Sequence, residues 1–188
     1  MHYEQKSEIR NEIIAPFSPE ISFTAVSVPN PHLIGIVNKH YISDPSHQQQ
    51  LATYLNSKNE YCPDGVNVSY VLPISDHEIF VRTFERGVGF TNACGTAMTA
   101  AALISKLEHV VDAEKVTVYN PGGFVQCEII IEDNDYQLSL IGNATVIGQY
   151  ELEYSGIYAK FSNCILTEEQ VQYEKCNNFV NGKIGHVI

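Results

Sequence analysis

The sequence predicts an α+β fold in which a curved, mostly antiparallel sheet or barrel surrounds a central apolar helix. Two observations carry this. The run Gly95 to Leu107, GTAMTAAALISKL, has almost no polar stripe, so it needs enclosure on nearly all sides rather than one buried face. The segments before and after it are strand-like and separated by Pro, Gly, Asn and Asp turns, which leaves sheet as the enclosing element.

Residues 1–20 are polar and aperiodic and carry Pro16 and Pro19, the pattern of a linker or of a displaced N-terminal segment. Ile21 to Val28 alternates, with Ile21, Phe23 and Ala25 opposite Ser22 and Thr24, and Leu33 to Val37 follows as a second strand after Pro29-Asn30-Pro31-His32. Asp44-Pro45 then opens a helix to about Ser57, with Asp44 as N-cap and Pro45 where a missing N–H costs nothing. Val66 to Leu72 and Glu78 to Glu85 read as strands joined by a turn at Pro73 to His77.

Beyond the apolar helix, Val116 to Tyr119, Phe124 to Glu132, Tyr136 to Ile141 and Thr145 to Tyr154 are strand-like. They are punctuated by Asn120-Pro121-Gly122-Gly123 and Asp133-Asn134-Asp135. Ile157 to Phe161 reads as a short strand, and Thr167 caps a helix to about Phe179. The expected organisation is therefore a segment 1–20, a lobe 21–154 and a C-terminal extension 155–188 packed on that lobe.

The formal charge of −11 over 188 residues excludes nucleic acid and anionic membrane as natural partners, because both would repel an acidic surface. Two of the three arginines, Arg82 and Arg86, nevertheless lie close to Cys94 in sequence, so a local basic site is compatible with that charge. The five cysteines form no C-x-x-C pair and follow no secretory leader, which predicts reduced thiols in a cytoplasm, with neither a disulfide framework nor a zinc site. No apolar run reaches the ~20 residues of a membrane span.

Cys94 stands apart from the other thiols. It follows the Gly-rich stretch Glu85-Arg86-Gly87-Val88-Gly89 and directly precedes the apolar helix. The free N–H groups of a helix N-terminus stabilise a thiolate and can also hold a substrate carboxylate.

These residues resemble the C-terminal lobe of the diaminopimelate epimerase family. Glu85-Arg86-Gly87-Val88-Gly89, Thr91 and Ala93-Cys94-Gly95-Thr96 match its second-cysteine signature, and Asn30-Pro31-His32, Pro63-Asp64-Gly65-Val66-Asn67-Val68 and Pro121-Gly122-Gly123 fall in the same order. Gly142-Asn143-Ala144 and Gly148 resemble its closing strand, so the resemblance spans roughly residues 22–153.

The resemblance implies a diaminopimelate epimerase-like lobe and cofactor-free inversion at an amino-acid α-carbon by two cysteines on opposite faces. It implies that Cys94 is the acid/base of this lobe and that the N–H groups of Gly95 and Thr96 bind the α-carboxylate. Glu85 would contact the α-ammonium, His32 would support the opposing cysteine, and Asn30, Asn67 and Arg86 would reach the distal end of the substrate. The expected partners are a small amino-acid substrate and a separate N-terminal lobe or second chain, since the family's first lobe with its Cys-Gly-Asn turn has no counterpart here. A homodimer is the other arrangement. A racemase of another amino acid, such as histidine, and a non-catalytic remnant or interaction module are the alternative functions. Ala97 stands where the family has glycine, and the residues beyond Tyr154 exceed its usual end.

Overall fold

The computed structural model describes residues 9–132, 135–146 and 148–187. The first helix, α1 (Lys39–Ser43), is followed by α2 (Ser46–Leu55), α3 (Gly95–Leu107) and α4 (Glu168–Val187). Among the described residues nine strands make one sheet: β1 (Glu12–Ile13), β2 (Ser22–Val28), β3 (Asn30–Ile36), β4 (Asn67–Ser75), β5 (Glu78–Glu85), β6 (Gly89–Thr91), β7 (Lys115–Asn120), β8 (Gly123–Glu132) and β9 (Asp135–Ile141). The spatial order is β1-β2-β3-β4-β5-β7-β8-β9, with β6 beside β5. A separate hairpin pairs β10 (Gly148–Tyr154) with β11 (Ala159–Leu166).

Pairing is antiparallel except for β3 with β4 and β5 with β7. Parallel neighbours need a crossover, and the two crossovers place helices on opposite faces. The first, through α1 and α2, buries Leu51, Ala52 and Leu55 with Phe23, Leu33, Val68, Tyr70 and Phe80. The second, through α3, buries Met98, Ala100, Ala101, Ala102, Leu103 and Ile104 with Ile34, Val71, Ile79, Val81, Val118 and Ile129. The sheet curls around α3, which touches β2, β3, β4, β5, β7, β8 and β9, so the α+β fold expected from its missing polar stripe is present. Between β2 and β9 the curl leaves a cleft of about 380 Å³ lined by Val26, Leu103, Leu107, Tyr136 and Leu138.

Several boundaries differ from the sequence reading. Of segment 1–20, the described residues 9–20 lie against the sheet: β1 pairs with β2, and Ile9 and Phe17 are buried. Asn30-Pro31-His32 opens β3 rather than forming a turn before it, because proline is tolerated at the start of a strand where its N–H is not required. The Pro73 to His77 turn shrinks to Asp76-His77, since β4 runs on to Ser75 through an irregularity in register. Asp44 caps as expected in chemistry, its Oδ1 accepting the Ser46 N–H at 2.9 Å, while the helix itself starts at Ser46.

Downstream, β10 begins at Gly148 rather than Thr145, and Asp133 and Asn134 of the predicted turn lie outside the described residues. The tail strand is Ala159–Leu166 rather than Ile157 to Phe161. α4 runs past Phe179 because Val180 and Ile184 bury in the core and Lys183 pairs with Glu78, contacts that outweigh the helix-weakening Gly182 and Gly185. No described helix is long and apolar enough to cross a membrane.

Candidate active site at the N-terminus of helix α3

Side chains directly opposite on neighbouring strands share a face of the sheet, and successive residues alternate. His32 pairs with Asn67, Ser69 with Thr83, and Thr83 with Thr91. Extending these registers by two residues puts Asn30, His32, Asn67, Ser69, Thr83 and Glu85 on the face covered by α3. Their neighbours farther along, Ile34, Val71, Ile79 and Val81, form the apolar core under that helix. The core therefore gives way to a polar floor at the edge of the sheet where β3 and β4 begin and β5 ends.

Cys94 enters from above this floor. It is the N-cap of α3, with extended backbone angles (φ −139°, ψ 103°), and its carbonyl accepts the first helical hydrogen bond, from Met98 at 2.9 Å. Its Sγ lies 3.5 Å from the Thr96 hydroxyl, and Cys94, Gly95 and Thr96 are all half-buried. The helix leaves its first N–H groups free at this end, so Gly95 and Thr96 present donors beside the thiol. A Cβ at 95 would lie 3.0 Å from Leu140 Cδ2 of β9, a contact that this exposed side chain relieves by turning aside.

The Asn120 to Gly123 turn holds the Cys94 loop from the other side. Gly122 donates its N–H to the Asn92 carbonyl at 2.8 Å, and Asn120 Nδ2 lies 2.7 Å from the Met98 sulfur. A Cβ at 122 would sit 2.9 Å from that carbonyl oxygen, so only glycine permits the approach. The sequence marked this turn as structural; its tie to the loop carrying Cys94 joins residues 30 positions apart and has no local signature.

Glu85 is half-buried, and its Oε1 accepts a hydrogen bond from the Thr91 hydroxyl across the β5–β6 hairpin. Asn67, 7% exposed, accepts the Arg86 N–H through Oδ1 at 2.8 Å. The exposed Arg86 side chain turns to the Asp64 carbonyl, with Nη1 at 2.6 Å. Asn30 is exposed at the start of β3. Arg82 does not join this group. It lies on the opposite face, donating to the Tyr41 and Ile42 carbonyls and, at 2.8 Å, to Gln48 Oε1, so it ties α1 and α2 to the sheet.

His32 is fully enclosed, and neither ring nitrogen has a hydrogen-bond partner among the described residues. Burial lowers its pKa from 6.5 to about 4, against weaker opposing pulls from the Val28 backbone and the Glu85 carboxylate. The imidazole is thus neutral at pH 7, and the unfolded chain binds a proton that the folded one refuses. Stability from this group is complete above pH 6.5 and is lost as the pH falls toward 4. We expect about 2 kcal/mol of it to disappear between pH 7 and pH 5. Urea unfolding at the two pH values checks this: His32→Leu should show a correspondingly smaller loss, and equal losses in both proteins would refute the assignment.

Of the remaining cysteines, Cys62 and Cys127 are buried, Cys164 is exposed on β11 and Cys176 is half-buried on α4. Burial pushes the Cys127 thiol up to about 11, as befits an inert core residue. Among the described residues no group of three or more His, Cys, Asp or Glu side chains is placed to hold a metal ion.

The sequence profile of the diaminopimelate epimerase family matches residues 24–147. Diaminopimelate epimerase of Listeria welshimeri is 46% identical over 175 residues, covering 92% of this chain and 53% of that protein. The enzyme of that name from Ligilactobacillus salivarius is 46% identical, covering 90% and 54%, and that from Enterococcus faecalis is 42% identical, covering 88% and 52%. The chain spans about half the length of the curated relatives it matches. A solved PhzF-family phenazine biosynthesis protein from Bacillus anthracis is also similar, at a TM-score of 0.45 and 16% identity over 69% of this chain and 41% of that one.

Proposed function

Because the chain belongs to the diaminopimelate epimerase family, we propose that it supplies one half of a cofactor-independent epimerase site that inverts the α-carbon of diaminopimelate. The observation that carries this reading is the placement of Cys94 at the α3 N-terminus on the face of the sheet that holds His32, Asn67 and Glu85.

In the forward step the Cys94 thiolate takes the α-proton from one face of the substrate. The electron pair left on carbon spreads into the carboxylate, whose developing charge is met by the Gly95 and Thr96 N–H groups. Glu85 holds the α-ammonium, and an acid on the opposite face delivers a proton to the carbon, so charge and protons balance. In the reverse direction Cys94 is the donor. His32, kept neutral by burial, supports the opposing group without placing a positive charge beside it. Asn30, Asn67 and Arg86 line the edge toward the far carboxylate, where amides and a guanidinium suit that group. The opposing acid comes from a second lobe, on another chain or another stretch of a longer one. A place in lysine and cell-wall precursor synthesis, in the cytoplasm, follows from that substrate.

Mapping alkylation by iodoacetamide tests the reading. Cys94 should be labelled well before the buried Cys62 and Cys127, and diaminopimelate should slow labelling of Cys94 while leaving that of Cys164 unchanged. Failure of millimolar diaminopimelate to protect Cys94 would overturn it.

A further inference from the structure

We propose that Thr91 is a positioning residue for Glu85, fixing one carboxylate oxygen so that the other faces the substrate ammonium. The inference rests on the half-site reading and adds a residue to it. Thr83 and Thr91 face each other across the β5–β6 hairpin, and Glu85 lies diagonally from Thr91 on the same face. The three hydroxyls nearby divide cleanly. Ser69 and Thr83 bind each other at 2.9 Å in the buried floor, and the Thr91 hydroxyl donates to Glu85 Oε1. Asn67 is committed to the Arg86 N–H. Thr91 is therefore the side chain among the described residues that donates to Glu85, and Oε2 is left without a hydrogen bond from any of them.

A glutamate carboxylate at a half-buried strand end otherwise samples several rotamers, and ordering it on binding costs conformational freedom. The hydroxyl removes that cost in advance, in the manner of preorganised sites generally. It also works through the hairpin itself: Thr91 lies three residues before Cys94, so the strand that orients the carboxylate runs directly into the turn that presents the thiol.

The test measures how this chain binds L-2-aminopimelate, which carries the ammonium, and pimelate, which lacks it, by calorimetry or chemical-shift titration. Wild type should favour the amino compound. Thr91→Val and Thr91→Ala should weaken L-2-aminopimelate roughly tenfold while leaving pimelate unchanged, and Thr91→Ser should restore the preference. A merely structural role would weaken both ligands alike, and either that result or undiminished discrimination in both hydroxyl-free variants overturns the proposal. If wild type binds both ligands equally, the role of Glu85 fails and Thr91 with it. If wild type binds neither, the half-site reading itself falls.

Discussion

Purified alone and incubated with L,L-diaminopimelate in deuterated water, the chain should leave the α-carbon uninverted. Inversion needs a base on one face and an acid on the other, and a positioned proton-transfer group contributes ~10²–10⁴ in rate. Cys94 can serve one face. Cys62 and Cys127 are enclosed in the two cores and cannot serve the other, and Cys164 and Cys176 sit on the tail elements β11 and α4. A site built by one lobe alone would carry a second deficit, because it would stay wet, and water weakens the donors that stabilise the developing charge. A homodimer that brings two copies of Cys94 together across a two-fold axis is the arrangement that would defeat this expectation. Deuterium incorporation with inversion, abolished by Cys94→Ala and steeply dependent on protein concentration, would establish that dimer. Inversion restored only by adding a relative's N-terminal lobe would instead identify the second face as a separate lobe.

The parts of this fold that could be read from sequence are those set by local chemistry. The apolar helix, the Asp44 cap and the Gly-rich approach to Cys94 each carry their reason within a few residues. Strand direction does not: alternation places side chains on faces but says nothing about whether β3 runs parallel to β4, and it is that register which brings His32 beside Asn67. Arg82 illustrates the same gap. It is closer to Cys94 in sequence than Asn67 is, yet three residues before Glu85 it falls on the opposite face and serves α1 and α2. Thr91 was visible within the resemblance as a motif residue without a task; its task depends on a diagonal across the hairpin. The length of α4 was hidden because Gly182 and Gly185 suggest an earlier end, whereas Val180 and Ile184 join a core cluster whose other members lie about 60 or more positions earlier in the chain.

Ala101→Glu should unfold the protein or leave it barely stable, the largest stability effect expected of any single change discussed. Ala101 is fully enclosed in the middle of α3, with Ala100 and Ala102 equally buried beside it, so no rotation of the helix brings position 101 to water. The substitution forces a long side chain into a close-packed interior and strands a carboxylate there without a partner. Overpacking alone costs ~1–3 kcal/mol, and an unpaired buried charge adds several more or is neutralised at comparable cost. Together they approach the ~5–15 kcal/mol total stability of a typical domain. Gln49→Glu, which adds the same carboxylate to an exposed position on α2, should stay within about 0.5 kcal/mol of wild type. Urea titrations followed by far-ultraviolet circular dichroism compare the two. If Ala101→Glu kept a wild-type midpoint, α3 could not be the enclosed axis of the sheet, and the polar floor beneath its N-terminus would lose its lid.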